Sequence, residues 1–251
     1  MRIRFLLVCC FAWKVFGVGD VCIGAGSFAE YACTREKNLV LKPSNVSFEA
    51  AASAPVVGLT AIQGLRDAGQ IRAGQTVLIN GAAGGIGTFA VQLAKSYGTE
   101  VTGVCSTRNL DLVRSIGADH VVDYTGEDFT RNGRTYDLIF DTIGNRSVFE
   151  YRRALKPNGR CVIAGFTSMP RLFEHMLLGR WTSRNSDRKV NMMGVSNSNK
   201  KDLHCIQELL ESGKVVPVID RRYSLRETAE AIRYLETGHA RGKVIITVAN
   251  S

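Results

Sequence analysis

Between residues 75 and 195 the chain alternates short apolar runs with stretches of helical spacing. Thr76-Val-Leu-Ile-Asn80 is a continuous apolar run, as expected of a strand buried on both faces. Ile86 to Tyr97 places Ile86, Phe89, Ala90, Leu93 and Ala94 on one face of a predicted helix. The same reading predicts strands at Glu100–Cys105, His120–Asp123, Tyr136–Asp141 and Gly159–Ala164, with helices at Leu110–Ile116 and Ser147–Leu155. A further strand is predicted at Val190–Gly194. Strands and helices in this order predict an α/β fold, a doubly wound parallel sheet with helices on both faces.

The flanks read differently. Phe28–Ala32 and Asn38–Leu41 are predicted short strands, Lys42–Asn45 a turn, and Ser47 the cap of a helix running to Ala52. Ala54-Pro55 interrupts that helix, and helical spacing resumes from Gly58 to Arg66. Near the other end, Lys201–Ser212 and Leu225–Glu236 are predicted helices and Gly242–Val248 a strand. In the segment 166–189, Met169-Pro170 reads as a turn, and Arg171–Trp181 is an apolar, basic stretch suited to covering a cleft. There is no internal repeat.

The composition narrows the function classes. Apolar residues make up 45% and charged residues 22% of 251 positions, which excludes a disordered chain. No apolar run reaches the roughly 18 residues of a membrane span. The formal charge of +9 comes from dispersed Lys and Arg, read here as solvated faces with a positive bias. A nucleic-acid partner would rest only on that charge and on Arg152, Arg153, Arg180, Arg184 and Arg188, with no recognised module. Seven cysteines without a CxxC pair argue against a disulfide framework and a Cys-rich zinc lobe. Met1–Trp13 has the basic-then-apolar shape of a very short signal peptide, but Lys14 follows at once and no small-x-small cleavage site appears. It is read as an atypical start, and the protein as cytoplasmic.

The chemistry concentrates at Asn80-Gly-Ala-Ala-Gly-Gly-Ile-Gly87, which joins the first strong strand to the first strong helix. Glycines there permit a tight reversal and bring backbone N–H groups and a helix N-terminus to a pyrophosphate. The strand–turn–helix context is what such a motif needs. No Gly-Lys-Ser/Thr follows, so a P-loop is excluded. A carboxylate for a ribose 2′-OH is expected about 20 residues on. Cys105-Ser-Thr-Arg108 stands there instead, and hydroxyls with a guanidinium suit a 2′-phosphate, favouring NADP(H) over NAD(H). Tyr124, after the third strand, is placed to flank the adenosine end or to be a plain surface tyrosine. The spacing Gly81-x-x-x-Gly85-Ile-Gly87 also fits short-chain dehydrogenases, but no tyrosine has a lysine four residues on.

Residues 17–250 resemble the C-terminal two-thirds of a medium-chain dehydrogenase/reductase, in the zinc-free quinone oxidoreductase (zeta-crystallin-like) branch. The resemblance is carried, in order, by Gly26-Ser-Phe-Ala-Glu-Tyr31, Gly58-Leu-Thr-Ala61, Asn80–Gly87, Gly117–Tyr124, Asp141-Thr-Ile-Gly144 and Gly238–Val244. It implies an atypical N-terminus over 1–16, a partial GroES-like, β-rich catalytic domain from 17–55 and 217–251, and a Rossmann NADP(H)-binding domain over 56–216. It implies NADPH-dependent reduction of a quinone or α,β-unsaturated carbonyl, without zinc, by a homodimer. Carried over by motif, Ala83, Gly84, Gly85 and Ile86 would cradle the pyrophosphate. Ser106, Arg108 and Tyr124 would hold the adenosine phosphate, and Thr60, Ile143 and Phe166 would lie near the nicotinamide. Lys243 would reach the cofactor from the returning segment. The family's first several dozen residues are missing or replaced by Met1–Phe16, so no catalytic acid is assigned. The alternative expectation is a catalytically silent NADPH-binding protein that acts through association.

Overall fold

The computed structural model describes residues 9–10, 15–17, 28–29, 34–167, 169–184 and 187–248. Most of the apolar start and of the strand expected at Phe28–Ala32 lies outside the described residues. In chain order the elements begin with β1 (Cys9–Cys10), β2 (Val15–Gly17), β3 (Leu39–Leu41), α1 (Phe48–Ser53) and α2 (Pro55–Ile62), which runs on into a π-helical turn at Gln63–Ala68. Then come β4 (Thr76–Asn80), α3 (Gly85–Ser96), β5 (Glu100–Cys105), a 3-10 turn at Thr107–Asn109, α4 (Leu110–Ser115), β6 (His120–Asp123) and β7 (Tyr136–Asp141). They are followed by α5 (Val148–Ala154), β8 (Leu155–Ile163), α6 (Met169–Arg184), β9 (Lys189–Met192) and α7 (Lys200–Glu211). The last are β10 (Ile219–Ser224), α8 (Thr228–Glu236) and β11 (Lys243–Thr247).

The chain divides into two compact units, one of residues 60–196 and one of 1–59 with 197–251. The first holds a six-stranded sheet in the order β6-β5-β4-β7-β8-β9, with every neighbouring pair parallel. Strand order reverses between β4 and β7, the arrangement of a Rossmann sheet. The central strand β4 buries Val77, Leu78 and Ile79 completely, which is why it reads as an unbroken apolar run. Beside it α3 buries Phe89, Ala90, Leu93 and Ala94. The cap of α5 is a reciprocal pair: Glu150 N–H donates to Ser147 Oγ at 3.3 Å, and Ser147 N–H donates to Glu150 Oε2 at 2.7 Å. Val148, Tyr151 and Ala154, three residues apart, form its buried face.

The other unit holds the antiparallel sheet β1-β2-β3 and a parallel pair, β10 and β11. Ala231 of α8 packs with Val244 and Ile246 of β11 in a small core. Ser47 caps α1 as expected, its Oγ accepting from Ala50 N–H at 3.2 Å.

Two expectations are corrected. Met169-Pro170 is no turn but the first turn of α6. Proline is tolerated there because the first amides of a helix have no intrahelical acceptor. The strand expected at Val190–Gly194 is β9, Lys189–Met192.

Carboxylates pin the strand starts of the parallel sheet. Asp137 Oδ2 accepts from the Thr76 amide at 2.8 Å, the Thr76 hydroxyl at 2.9 Å and Lys156 Nζ at 3.0 Å. Lys95 Nζ lies 2.8 Å from both oxygens of Asp119, whose Oδ2 also takes the Val101 amide at 2.7 Å. Burial alone would raise both acids. The Lys95 and Val101 donors at Asp119, and the Thr76 and Lys156 donors at Asp137, outweigh burial and hold them below the usual carboxylate range. Asp128 and Glu150 are lowered in the same sense. Such groups stabilise the fold fully above the unfolded value of about 4, and that contribution is lost as pH falls through the folded values. The melting temperature followed by circular dichroism is therefore expected to drop steeply below about pH 4; a level value down to pH 3 contradicts the assignment.

Candidate functional site

The turn between β4 and α3 is shaped by what glycine allows. Gly81 has φ +82°, and a Cβ there would collide with Thr142 Oγ1 and press on Ile143 Cδ1 at 2.9 Å. The Gly81 and Ala82 N–H groups both donate to Val104 O, at 3.2 and 3.0 Å, which folds the turn back over the end of β5. Gly84, whose N–H donates to Gly81 O at 3.1 Å, is the N-cap of α3. It offers no capping side chain, and the first turn carries no acidic residue. The amides of Gly85 and Ile86 thus sit at the positive end of a 12-residue helix with no side-chain cap to occupy them. A Cβ on Gly87 would overlap the Gly81 carbonyl oxygen and lie 2.8 Å from Ala82 Cα, so the helix seats on its own turn only with glycine there.

Beneath this turn lies Asp141, a fully buried carboxylate at the end of β7. Its Oδ2 accepts from Asn80 Nδ2 at 2.7 Å and Tyr151 Oη at 2.6 Å. Its Oδ1 accepts from the amides of Ile143 and Gly144, both at 2.7 Å. The Thr142 amide and hydroxyl donate to Asn80 O at 3.1 and 2.9 Å. Burial, and then the Asp141 charge, push the Tyr151 phenol far above its ordinary range, so it remains a donor.

The ends of β5 and β6 bring Ser106, Arg108 and Tyr124 to one edge. Tyr124 N–H donates to Cys105 O at 3.0 Å, and its side chain is 58% exposed, as a surface able to meet a ligand requires. Arg108 is exposed on the 3-10 turn that Ser106 opens. A carboxylate, absent after β5 in the sequence, arrives from β6. Asp123 accepts from Thr107 Oγ1 at 2.5 Å, and from the Thr125 amide and hydroxyl at 3.0 and 2.7 Å. Burial and then Asp123 push the Cys105 thiol up to about 11, which leaves it protonated and unreactive at neutral pH.

On the far side of the switch point, Ile143 and Phe166 stand in the loops after β7 and β8. Both are half-buried, and Phe166 packs on the sheet core with its ring 5.7 Å from that of His175. The two loops touch at Gly144, φ +62°, where a Cβ would meet Gly165 O and Phe166 Cδ1. Thr60 Oγ1 lies 3.3 Å from Ser196 Oγ, beyond the end of β9. Lys243 belongs to the other unit, in β11, where burial lowers its amine below the ordinary lysine range. Sequence reasoning missed Tyr151 and Asp123 as site residues. The only early signal for Tyr151 is its place on the apolar face of α5.

The profile of the family described as zinc-binding dehydrogenase matches residues 116–246. The chain is 36% identical over 225 residues to 2-methylene-furan-3-one reductase of Solanum lycopersicum, covering 88% of this chain and 52% of that protein. It is 37% identical over 227 residues to the chloroplastic NADPH-dependent alkenal/one oxidoreductase of Arabidopsis thaliana, covering 88% and 53%. It thus spans about half the length of these two relatives. A chloroplastic quinone oxidoreductase of Triphysaria versicolor is 32% identical, with 89% of this chain and 69% of that one covered. Among solved structures, the quinone oxidoreductase from Coxiella burnetii superposes with a TM-score of 0.82 at 31% identity, covering 94% of this chain and 72% of that one.

Two substitutions test this geometry. Gly→Ala inside a helix ordinarily stabilises by about 1 kcal/mol. Gly87→Ala is expected to do the reverse, costing about 1–3 kcal/mol through overpacking against the Gly81 carbonyl, read from the urea midpoint. Asp141→Ala strands the Asn80, Tyr151, Ile143 and Gly144 donors and is expected to cost on the order of 3 kcal/mol in the same measurement.

Proposed function

Because the chain belongs to the zinc-binding dehydrogenase family, within the medium-chain dehydrogenase/reductase superfamily, we propose that it is an NADPH-dependent oxidoreductase that reduces a quinone or an α,β-unsaturated carbonyl by hydride transfer. The observation that carries this reading is the uncapped glycine turn at the point where strand order reverses. It stands beside strand ends that present Ser106, Arg108 and Tyr124. Ligands of open α/β sheets bind outside the strand ends at such a point. The relatives' names, a reductase of a furanone, an alkenal/one oxidoreductase and quinone oxidoreductases, support the substrate class.

The residues present fit the cofactor. The backbone around Ala83, Gly84, Gly85 and Ile86 is what we assign to the pyrophosphate, with the Gly85 and Ile86 amides at the uncapped helix start as donors and no acidic side chain in that turn to oppose it. Ser106, Arg108 and Tyr124 are assigned to the adenosine 2′-phosphate, and Thr60, Ile143 and Phe166 to the nicotinamide end. The bound cofactor supplies the hydride. The contribution of this chain is to hold and orient it and to shield one face with Ile143 and Phe166.

The residues do not fit a catalytic zinc. Among the described residues no three His, Cys, Asp or Glu side chains gather as ligands, and the sequence has no CxxC pair. We propose a reaction that uses no zinc. Among the described residues no helix is long and apolar enough to cross a membrane, and we propose a cytoplasmic protein. The edge strand β9 is proposed to pair with its counterpart in a homodimer.

NADPH fluorescence is expected to saturate on titration with the protein, and added quinone or enone to oxidise the bound nucleotide. Arg108→Ala is expected to weaken NADPH binding about tenfold and NADH binding much less, since a charge-assisted bond to the 2′-phosphate is lost. No saturable NADPH signal would sink the assignment.

A further inference from the structure

Asn109 breaks a local rule. It stands at the N-cap of α4, where asparagine is favoured because its Oδ1 accepts a helix amide. No such bond forms, although Asn109 is only 7% exposed. Its Nδ2 instead donates to Ser106 Oγ at 3.2 Å, its backbone N–H donates to Ser106 O at 2.9 Å, and its Oδ1 is buried with no partner. A forgone cap and a stranded buried acceptor are both unfavourable, and departures of this kind gather where function constrains the chain.

We propose that Asn109 is a positioning residue for cofactor choice: by donating to Ser106 Oγ, it directs the Ser106 hydroxyl proton outward toward the 2′-phosphate of NADP(H). This rests on the reading of Ser106 and Arg108 as the phosphate end. A serine hydroxyl has one proton and two lone pairs. With a lone pair filled from inside by an amide N–H, the proton is left for an acceptor outside. The neighbouring hydroxyl cannot substitute, since Thr107 is committed to Asp123 at 2.5 Å and lies 3.1 Å from Thr125 Oγ1. An amide turned the other way would draw the Ser106 proton inward and strand its own amino group.

The test measures NADPH and NADH binding by fluorescence for the wild type, Asn109→Leu, Asn109→Asp, Ser106→Ala and the Ser106→Ala/Asn109→Leu pair, with thermal melts confirming that each is folded. Asn109→Leu removes the donor without adding charge, and Asn109→Asp replaces it with an acceptor that pulls the proton inward. The expected result is a loss of about tenfold in NADPH affinity for Asn109→Leu and more for Asn109→Asp, with smaller losses for NADH. Once Ser106 is alanine, Asn109→Leu is expected to add nothing. Equal losses for both dinucleotides, or additive effects in the pair, overturn the inference. A wild type that binds neither dinucleotide overturns the cofactor reading itself, and the two failures are thereby distinct.

Discussion

The buried carboxylate of Asp141 meets four donors from three places: the end of β4, the loop after β7, and the inner face of α5. A carboxylate out of water is costly unless its lone pairs are filled, so the four bonds are a condition of the fold. Their consequence is positional. Asn80 is the last residue of β4 and the first before the glycine turn, and its side chain and carbonyl are both held from β7. The strands where the sheet order reverses are locked together at the level where a ligand would sit.

Above that lock, the turn relies on close approach. Gly81 lies on Thr142 and Ile143, Gly87 lies on Gly81, and Gly144 lies on Gly165. Each contact brings backbone to within a distance that a Cβ would forbid. The same absence of side chains that lets these segments pack also clears the N-terminus of α3. Close packing and the anion binding proposed for this turn thus ask for the same residues, which accounts for a motif dense in glycine over eight residues.

How much of this was legible varies with the range of the cause. The strands β4, β5, β6 and β7 have the predicted bounds, because a buried central strand writes itself as a local apolar run. β10 went unseen, since Ile-Asp-Arg-Arg-Tyr-Ser shows no alternation and becomes a strand only by pairing with β11. α6 was hidden by its opening Met-Pro, where the same dipeptide serves a turn or a first helical turn. In the site, the glycine turn was plain from its spacing. The roles of Tyr151 and Asp123 were not, because each depends on a partner 10 to 16 residues away that only the fold brings within reach.

Asp123 poses the sharper question, since a carboxylate at the strand ends would repel the phosphate assigned to Ser106 and Arg108. Its bonding resolves the conflict. The Thr107 hydroxyl, then the Thr125 amide and the Thr125 hydroxyl, hold the acid below the usual carboxylate range. Three donors already face its oxygens, so Asp123 is poorly placed to take a ribose hydroxyl in the manner of an NAD-binding acid. It acts on the neighbouring 3-10 turn instead, through Thr107, and the turn carries Ser106, Arg108 and Asn109. The carboxylate is thus spent on fixing the segment that carries the Ser106 hydroxyl and the Arg108 guanidinium, the pair proposed for the phosphorylated dinucleotide.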